Sequence, residues 1–128
     1  MKKKLVIRGA ARLISYGQAL SIPGFRKMMQ SKPANGKAEA MLSSIISSKK
    51  ASVFFVEPGK TAKITLEMKG TPEKEFSTIF YFGEGSHAEV FLKTSLSKHY
   101  SENRALLLDS GAEAQCCFLQ SDGKDVQA

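Results

Sequence analysis

Polar and apolar residues alternate one by one through two stretches in the second half of the chain. Ala62, Ile64 and Leu66 are interleaved with Lys63, Thr65 and Glu67, and Ala88, Val90 and Leu92 with Glu89, Phe91 and Lys93. Phe91 is the single exception to the polar set. A two-residue period puts each set on its own face, so both stretches read as β-strands buried on one side. Unbroken apolar runs precede them, Val53–Val56 and Ile79–Phe82, rich in the aromatic and β-branched residues that suit a strand. A third run, Leu106-Leu107-Leu108, leads into the sequence Ala112-Glu113-Ala114-Gln115-Cys116-Cys117-Phe118. Between run and alternating stretch lies a turn marked by Gly59, Gly85 or Gly111, a residue free to take positive φ.

These three units are spaced by 26 residues: Gly59, Gly85 and Gly111 correspond, as do Ala62, Ala88 and Ala114, and Ile64, Val90 and Cys116. A constant interval of this size points to one structural unit stacked on copies of itself. Two architectures satisfy it. In a right-handed β-helix or solenoid of about 26-residue coils, the glycine turns a corner and the repeated alanine packs inside. In an antiparallel β-sandwich, each unit is a hairpin with glycine in its turn. Either way the expected class is mainly β.

The first fifty residues lack this punctuation and read as a separate basic segment with short helices, residues 1–50, ahead of a β-repeat domain, residues 51–128. Leu5-Val6-Ile7, Gly9 and Arg12-Leu13-Ile14 resemble a degenerate earlier unit, Gly9 lying close to two periods before Gly59. Ile22-Pro23-Gly24 reads as a turn and Phe25 to Gln30 as a short helix. Ser31 to Gly36 is the best linker candidate. Ala38, Met41, Leu42 and Ile45 then follow helical spacing, with Asn35 as an N-cap, giving an amphipathic helix over residues 37–48. A strand pair competes there, since Ala38, Ala40 and Leu42 also alternate.

Charge divides the chain in the same place. Residues 1–50 carry eleven Lys or Arg against Glu39 alone, a net of +10; residues 51–128 carry eight against eleven acidic groups, a net of −3. These sum to the overall +7. A cationic segment suits an anionic partner, nucleic acid among them, or simply a solvated surface with weak non-specific affinity. No helix-turn-helix or RNP signature accompanies it. At 128 residues, 42% hydrophobic and 24% charged, the chain fits one core-bearing domain with no membrane span. Arg8 and Arg12 interrupt the opening apolar stretch too early for a secretory signal, so the cytoplasm is the expected compartment, with reduced thiols.

The apolar strand, acidic-glycine turn and following Ala-x-Val strand resemble the SufB/SufD family of iron–sulfur cluster assembly proteins. The nearest stretch is Asn103 to Ala114, with Asp125-Val126-Gln127-Ala128 after it, and the likeness spans about residues 51–128. The resemblance implies a right-handed β-helix core, a partner such as an ABC-type ATPase or a paralogue, and a part in building or passing iron–sulfur clusters. Separately, the unpaired strand edges at the ends of a short solenoid lead to the expectation of a homo-oligomer, as does the alternative reading of a structural or interaction β module. Phe118 stands where the family usually has proline, and the helical region that docks the ATPase has no counterpart in these 128 residues.

Chemistry-bearing motifs are few. Cys116 and Cys117 lack the C-x-x-C spacing that brings two thiolates to one metal. Neighbouring strand residues face opposite ways. Cys116, in the place of Ile64 and Val90, is therefore expected to be buried. Cys117 is the candidate metal or sulfur ligand. His87, beside the second turn, is expected at the surface, and His99 has no evident partner. The carboxylate pairs Glu73/Glu75 and Asp122/Asp125 read as solvated. Gly83-Glu84-Gly85 lacks the third glycine of a dinucleotide fingerprint, and Gly59-Lys60-Thr61 lacks the upstream glycine of a P-loop, Phe54 standing there. With no nucleophile–base constellation, the expectation is a non-catalytic scaffold or partner-binding β module.

Overall fold

The computed structural model describes residues 2–30, 51–70, 76–96 and 102–121. Strands dominate them: β1 (Lys2–Gly9), β2 (Ala11–Ser15), β3 (Ser52–Val56), β4 (Thr61–Gly70), β5 (Phe76–Phe82), β6 (His87–Leu96), β7 (Glu102–Leu108) and β8 (Glu113–Ser121), with helices α1 (Tyr16–Leu20) and α2 (Pro23–Gln30) after β2. Two four-stranded mixed sheets form. Sheet A has the order β1-β4-β6-β8 and sheet B the order β2-β3-β5-β7.

The 26-residue interval is the register of this pairing. In sheet A, β4, β6 and β8 run parallel, with Ala62 beside Ala88 beside Ala114 and Ile64 beside Val90 beside Cys116. In sheet B, β3, β5 and β7 run parallel, with Phe54 beside Phe80 beside Leu106. The two strands flanking each glycine thus lie in different sheets, so the hairpin alternative is not what forms. The turns join the ladders. Gly59 donates its N–H to the Glu84 carbonyl (2.8 Å), and Gly85 donates to Ser110 (2.9 Å). The three glycines share φ of 70°, 69° and 72°, a left-handed backbone that other residues adopt only with strain.

Burial explains why one strand of each unit is apolar throughout and the other alternates. Sheet A covers one face only. Ala62, Ile64, Leu66 and Met68 point inward with Ala88, Val90 and Leu92, and meet Phe54, Val56, Phe80 and Phe82 of sheet B in one cluster. In sheet B the central strands β3 and β5 are buried on both faces over Val53–Val56 and Ile79–Phe82. Its other side chains, Val53, Phe55, Ile79, Tyr81 and Ala105, form a second cluster with Ala19 and Phe25 of the helices. A strand covered on both sides reads as a nearly continuous apolar run, and the buried Ser77 and Thr78 of β5 precede that run.

The helices are placed by local signals. Ser15 ends β2 and caps α1: its hydroxyl accepts from the Gln18 N–H (3.1 Å), while the Gln18 side-chain oxygen accepts from the Ser15 N–H (3.0 Å). Pro23 and Gly24 open α2 instead of forming a free turn, proline's fixed φ suiting a first helical position. Phe25 is fully buried, edge-on to Tyr16 (6.1 Å) and Tyr81 (5.7 Å). The helix expected over residues 37–48 and the linker before it lie outside the described residues.

Residues 2–15 join both sheets. β1 pairs with β4, Leu5 opposite Leu66 and Ile7 opposite Ile64, and β2 pairs with β3, both antiparallel. This first unit enters sheet A before sheet B, whereas the later units enter B before A, so its strands run the opposite way. Among the described residues, no helix is long and apolar enough to cross a membrane.

Candidate functional site

Two surfaces carry unusual chemistry for their position: the end of the stack formed by β7 and β8, and the outer face of sheet A. The first is built by the repeat itself. Leu106, Leu108 and Phe118 continue the rows of Phe80, Phe82 and Leu92. The inner members of those rows are 0–1% exposed; the end members are 42%, 45% and 36% exposed. Core positions therefore stand open because no described strand lies over them. Phe118 still packs on Phe80 (6.1 Å between rings), and the Arg104 guanidinium lies 4.6 Å from its ring centre.

The same geometry overturns the expected burial of Cys116. Its register is the one the repeat implies, opposite Val90, yet both cysteines are exposed and free. Inward direction guarantees burial only where another layer follows, and among the described residues β8 is the last strand of the sheet. Partial desolvation still pushes the Cys116 thiol above its ordinary range. Cys117 faces outward on the row of Thr65 and Phe91, lining a shallow groove with Glu89 and Gln115. Among the described residues no three His, Cys, Asp or Glu side chains gather as a metal site. His99 and the two carboxylate pairs lie outside the described residues.

On the outer face of sheet A, His87 is exposed as expected and meets Glu113 across β6 and β8 (Nδ1 to Oε2, 3.1 Å). That pairing was not legible from either residue's neighbours, but the 26-residue offset between them puts them side by side. At the other edge, Lys4, Arg8, Lys63 and Glu67 line a groove of about 300 Å³ with Val6 and Thr65. The contribution of β1 to this face was not foreseen, because its cations read only as a scattered charge excess.

One buried polar link ties the last turn to the interior. The Tyr81 hydroxyl donates to Asp109 Oδ2 (2.7 Å), whose other oxygen accepts from the Ser110 N–H (2.7 Å). Desolvation, then the Asp109 hydrogen bond and charge, pushes the Tyr81 phenol well above its usual range. The link belongs to structure: it fastens the β7–β8 turn to the sheet B face that carries the helices.

No protein-family model, curated protein or solved structure shows a significant match to this chain. The likeness to SufB and SufD therefore rests on the residues quoted for it.

Proposed function

We propose that this chain is a non-catalytic scaffold: a short right-handed β-solenoid whose open β7–β8 end docks a protein partner. One observation carries the reading. Leu106, Leu108 and Phe118 hold core register and remain more than a third exposed. A strand edge with unpaired N–H and C=O groups beside an uncovered apolar row is a template for another strand. The opposite edge is guarded, since Lys2, Lys3, Lys4 and Arg8 make half of β1 cationic. The nine residues of β8, at about 3.3 Å each, make the end about 30 Å long, and two sheet layers, each about 10 Å deep, give an end face of roughly 600 Å². Two such faces bury roughly 1,200 Å², the lower bound for a stable, specific interface.

On the resemblance to SufB and SufD, the partner is a paralogous β module or an ABC-type ATPase, and the setting is iron–sulfur cluster assembly. Cys117 then serves as a transient cluster ligand, with further donors coming from the partner. Light scattering on the full chain, alone and mixed with a SufB-type paralogue or a SufC-type ATPase, tests the docking. The expected result is a dimer or a stoichiometric complex, lost in Leu106→Lys/Phe118→Lys. A chain that stays monomeric at high micromolar concentration and takes up neither partner would refute the proposal. Anaerobic reconstitution of the complex with iron and sulfide, read by visible absorption with and without Cys117→Ser, tests the cluster role separately.

A further inference from the structure

The basic excess of the first fifty residues is not spread evenly once β1 is placed. Antiparallel pairing sets Arg8 beside Lys63, Lys4 beside Glu67 and Lys2 beside Lys69. Side chains alternate along each strand, so these all share the outer face, opposite the inward Ile7, Ile64, Leu5 and Leu66. Lys93 of β6 extends the same face, next to Glu67. Among the described residues, no ion pair engages Lys4, Arg8 or Lys63, although Glu67 and Glu89 stand in adjacent register positions; the pair on this face joins His87 and Glu113. The cations of the groove thus remain available to an external anion.

An uncharged row crosses the middle of this charged surface: Val6, Thr65, Phe91 and Cys117, adjacent in register from β1 to β8. Val6 is 41% exposed, and Phe91, the residue that breaks the polar alternation of β6, is half-buried. Phe91 is not needed by the core, whose β6 members are Ala88, Val90 and Leu92. The outer-face cations of β1 are Lys2, Lys4 and Arg8, and with Val6 between the last two, Lys4 and Arg8 stand about 13–14 Å apart at about 3.4 Å per residue. That distance is comparable with two phosphate steps of an extended single strand. Cations following a backbone beside an aromatic surface for a base are the recurring parts of single-strand recognition.

We propose that the outer face of sheet A binds single-stranded nucleic acid, with Lys4 on one phosphate, the Arg8–Lys63 pair on another two steps along, and Phe91 under a base. A duplex hides its base faces and would leave Phe91 unused. Its cations and Phe91 lie on β1, β4 and β6, away from the β7–β8 end, so this binding is independent of the docking role.

The test uses the full chain, because deleting residues 1–50 would remove β1 and β2 from both sheets. Fluorescence anisotropy with labelled oligodeoxythymidine and oligouridine should show binding at low salt. Neutralising three to five phosphates gives a log–log salt slope of about −2 to −3.5. Arg8→Glu/Lys63→Glu should weaken binding at least tenfold, and Phe91→Ala about tenfold, as loss of one stacked base would. Arg26→Glu/Lys60→Glu, the same change in charge at exposed positions away from the face, should stay within about twofold. Circular dichroism confirms that each variant is folded. Equal losses in the two double variants would reduce the effect to net charge and overturn the proposal. So would unchanged affinity in Phe91→Ala, tighter binding to duplex of the same length, or binding to phosphatidylserine vesicles without binding to oligonucleotide.

Discussion

Replacing Ala88 by leucine tests the stacked register directly. Ala88 lies between Ala62 and Ala114 in one row, close to the turns, and is 6% exposed. Its neighbours in the cluster include Val56, Ile64, Phe82 and Val90. Adjacent strands are about 4.8 Å apart, so the extra carbons of leucine cannot escape sideways without displacing the flanking alanines. Overpacking of this kind costs about 1–3 kcal/mol. Taking about 2 kcal/mol, and about 3–6 °C per kcal/mol for a chain of this size, the midpoint of thermal unfolding should fall by roughly 6–12 °C. Ala114→Leu is the internal control. It occupies the same row but is only partly buried on the last strand, so its effect should stay within about 0.5 kcal/mol. Differential scanning calorimetry or urea titration of the three proteins measures both. A neutral Ala88→Leu, or two substitutions of equal cost, would show that the alanines do not form one column with a covered middle and an open end.

Gly85→Ala should cost only the left-handed strain, about 1–2 kcal/mol, because an added Cβ there meets nothing within 4 Å. Gly9→Ala should cost about 3 kcal/mol or more, since its φ is +85° and a Cβ would run into the Thr61 carbonyl oxygen; urea titration ranks the pair. Ser86→Ala should be neutral or stabilise by up to about 1 kcal/mol, because the Ser86 hydroxyl is buried without a partner and the third unit already has Ala112 there. Tyr81→Phe removes the hydrogen bond to Asp109 and should cost about 1–2 kcal/mol at neutral pH. The folded Tyr81 phenol titrates above its unfolded value of 10.0, so its contribution is complete below pH 10 and is lost as pH rises toward the folded value. Stability measured across that alkaline range should therefore fall more steeply in the wild type than in Tyr81→Phe.

The local grammar of this protein was written in its residues. Alternation in β4 and β6, unbroken apolar runs in β3 and β5, glycine at each turn and the 26-residue interval all follow from which side chains each strand must hide. The partners of those strands did not follow. A hairpin and a layered parallel arrangement impose the same period on one strand, and only contacts between distant segments separated them. Residues 2–15 are the clearest case: their apolar pattern marks strands, but entering sheet A first reverses their direction, and that reversal sets Lys4 and Arg8 beside Lys63. Cys116 makes the same point in reverse. Its place in the repeat determined which way it faces, whereas its exposure was decided by the absence of a described strand beyond β8. Periodicity reports the orientation of a side chain; burial and neighbours depend on what the rest of the chain lays against it.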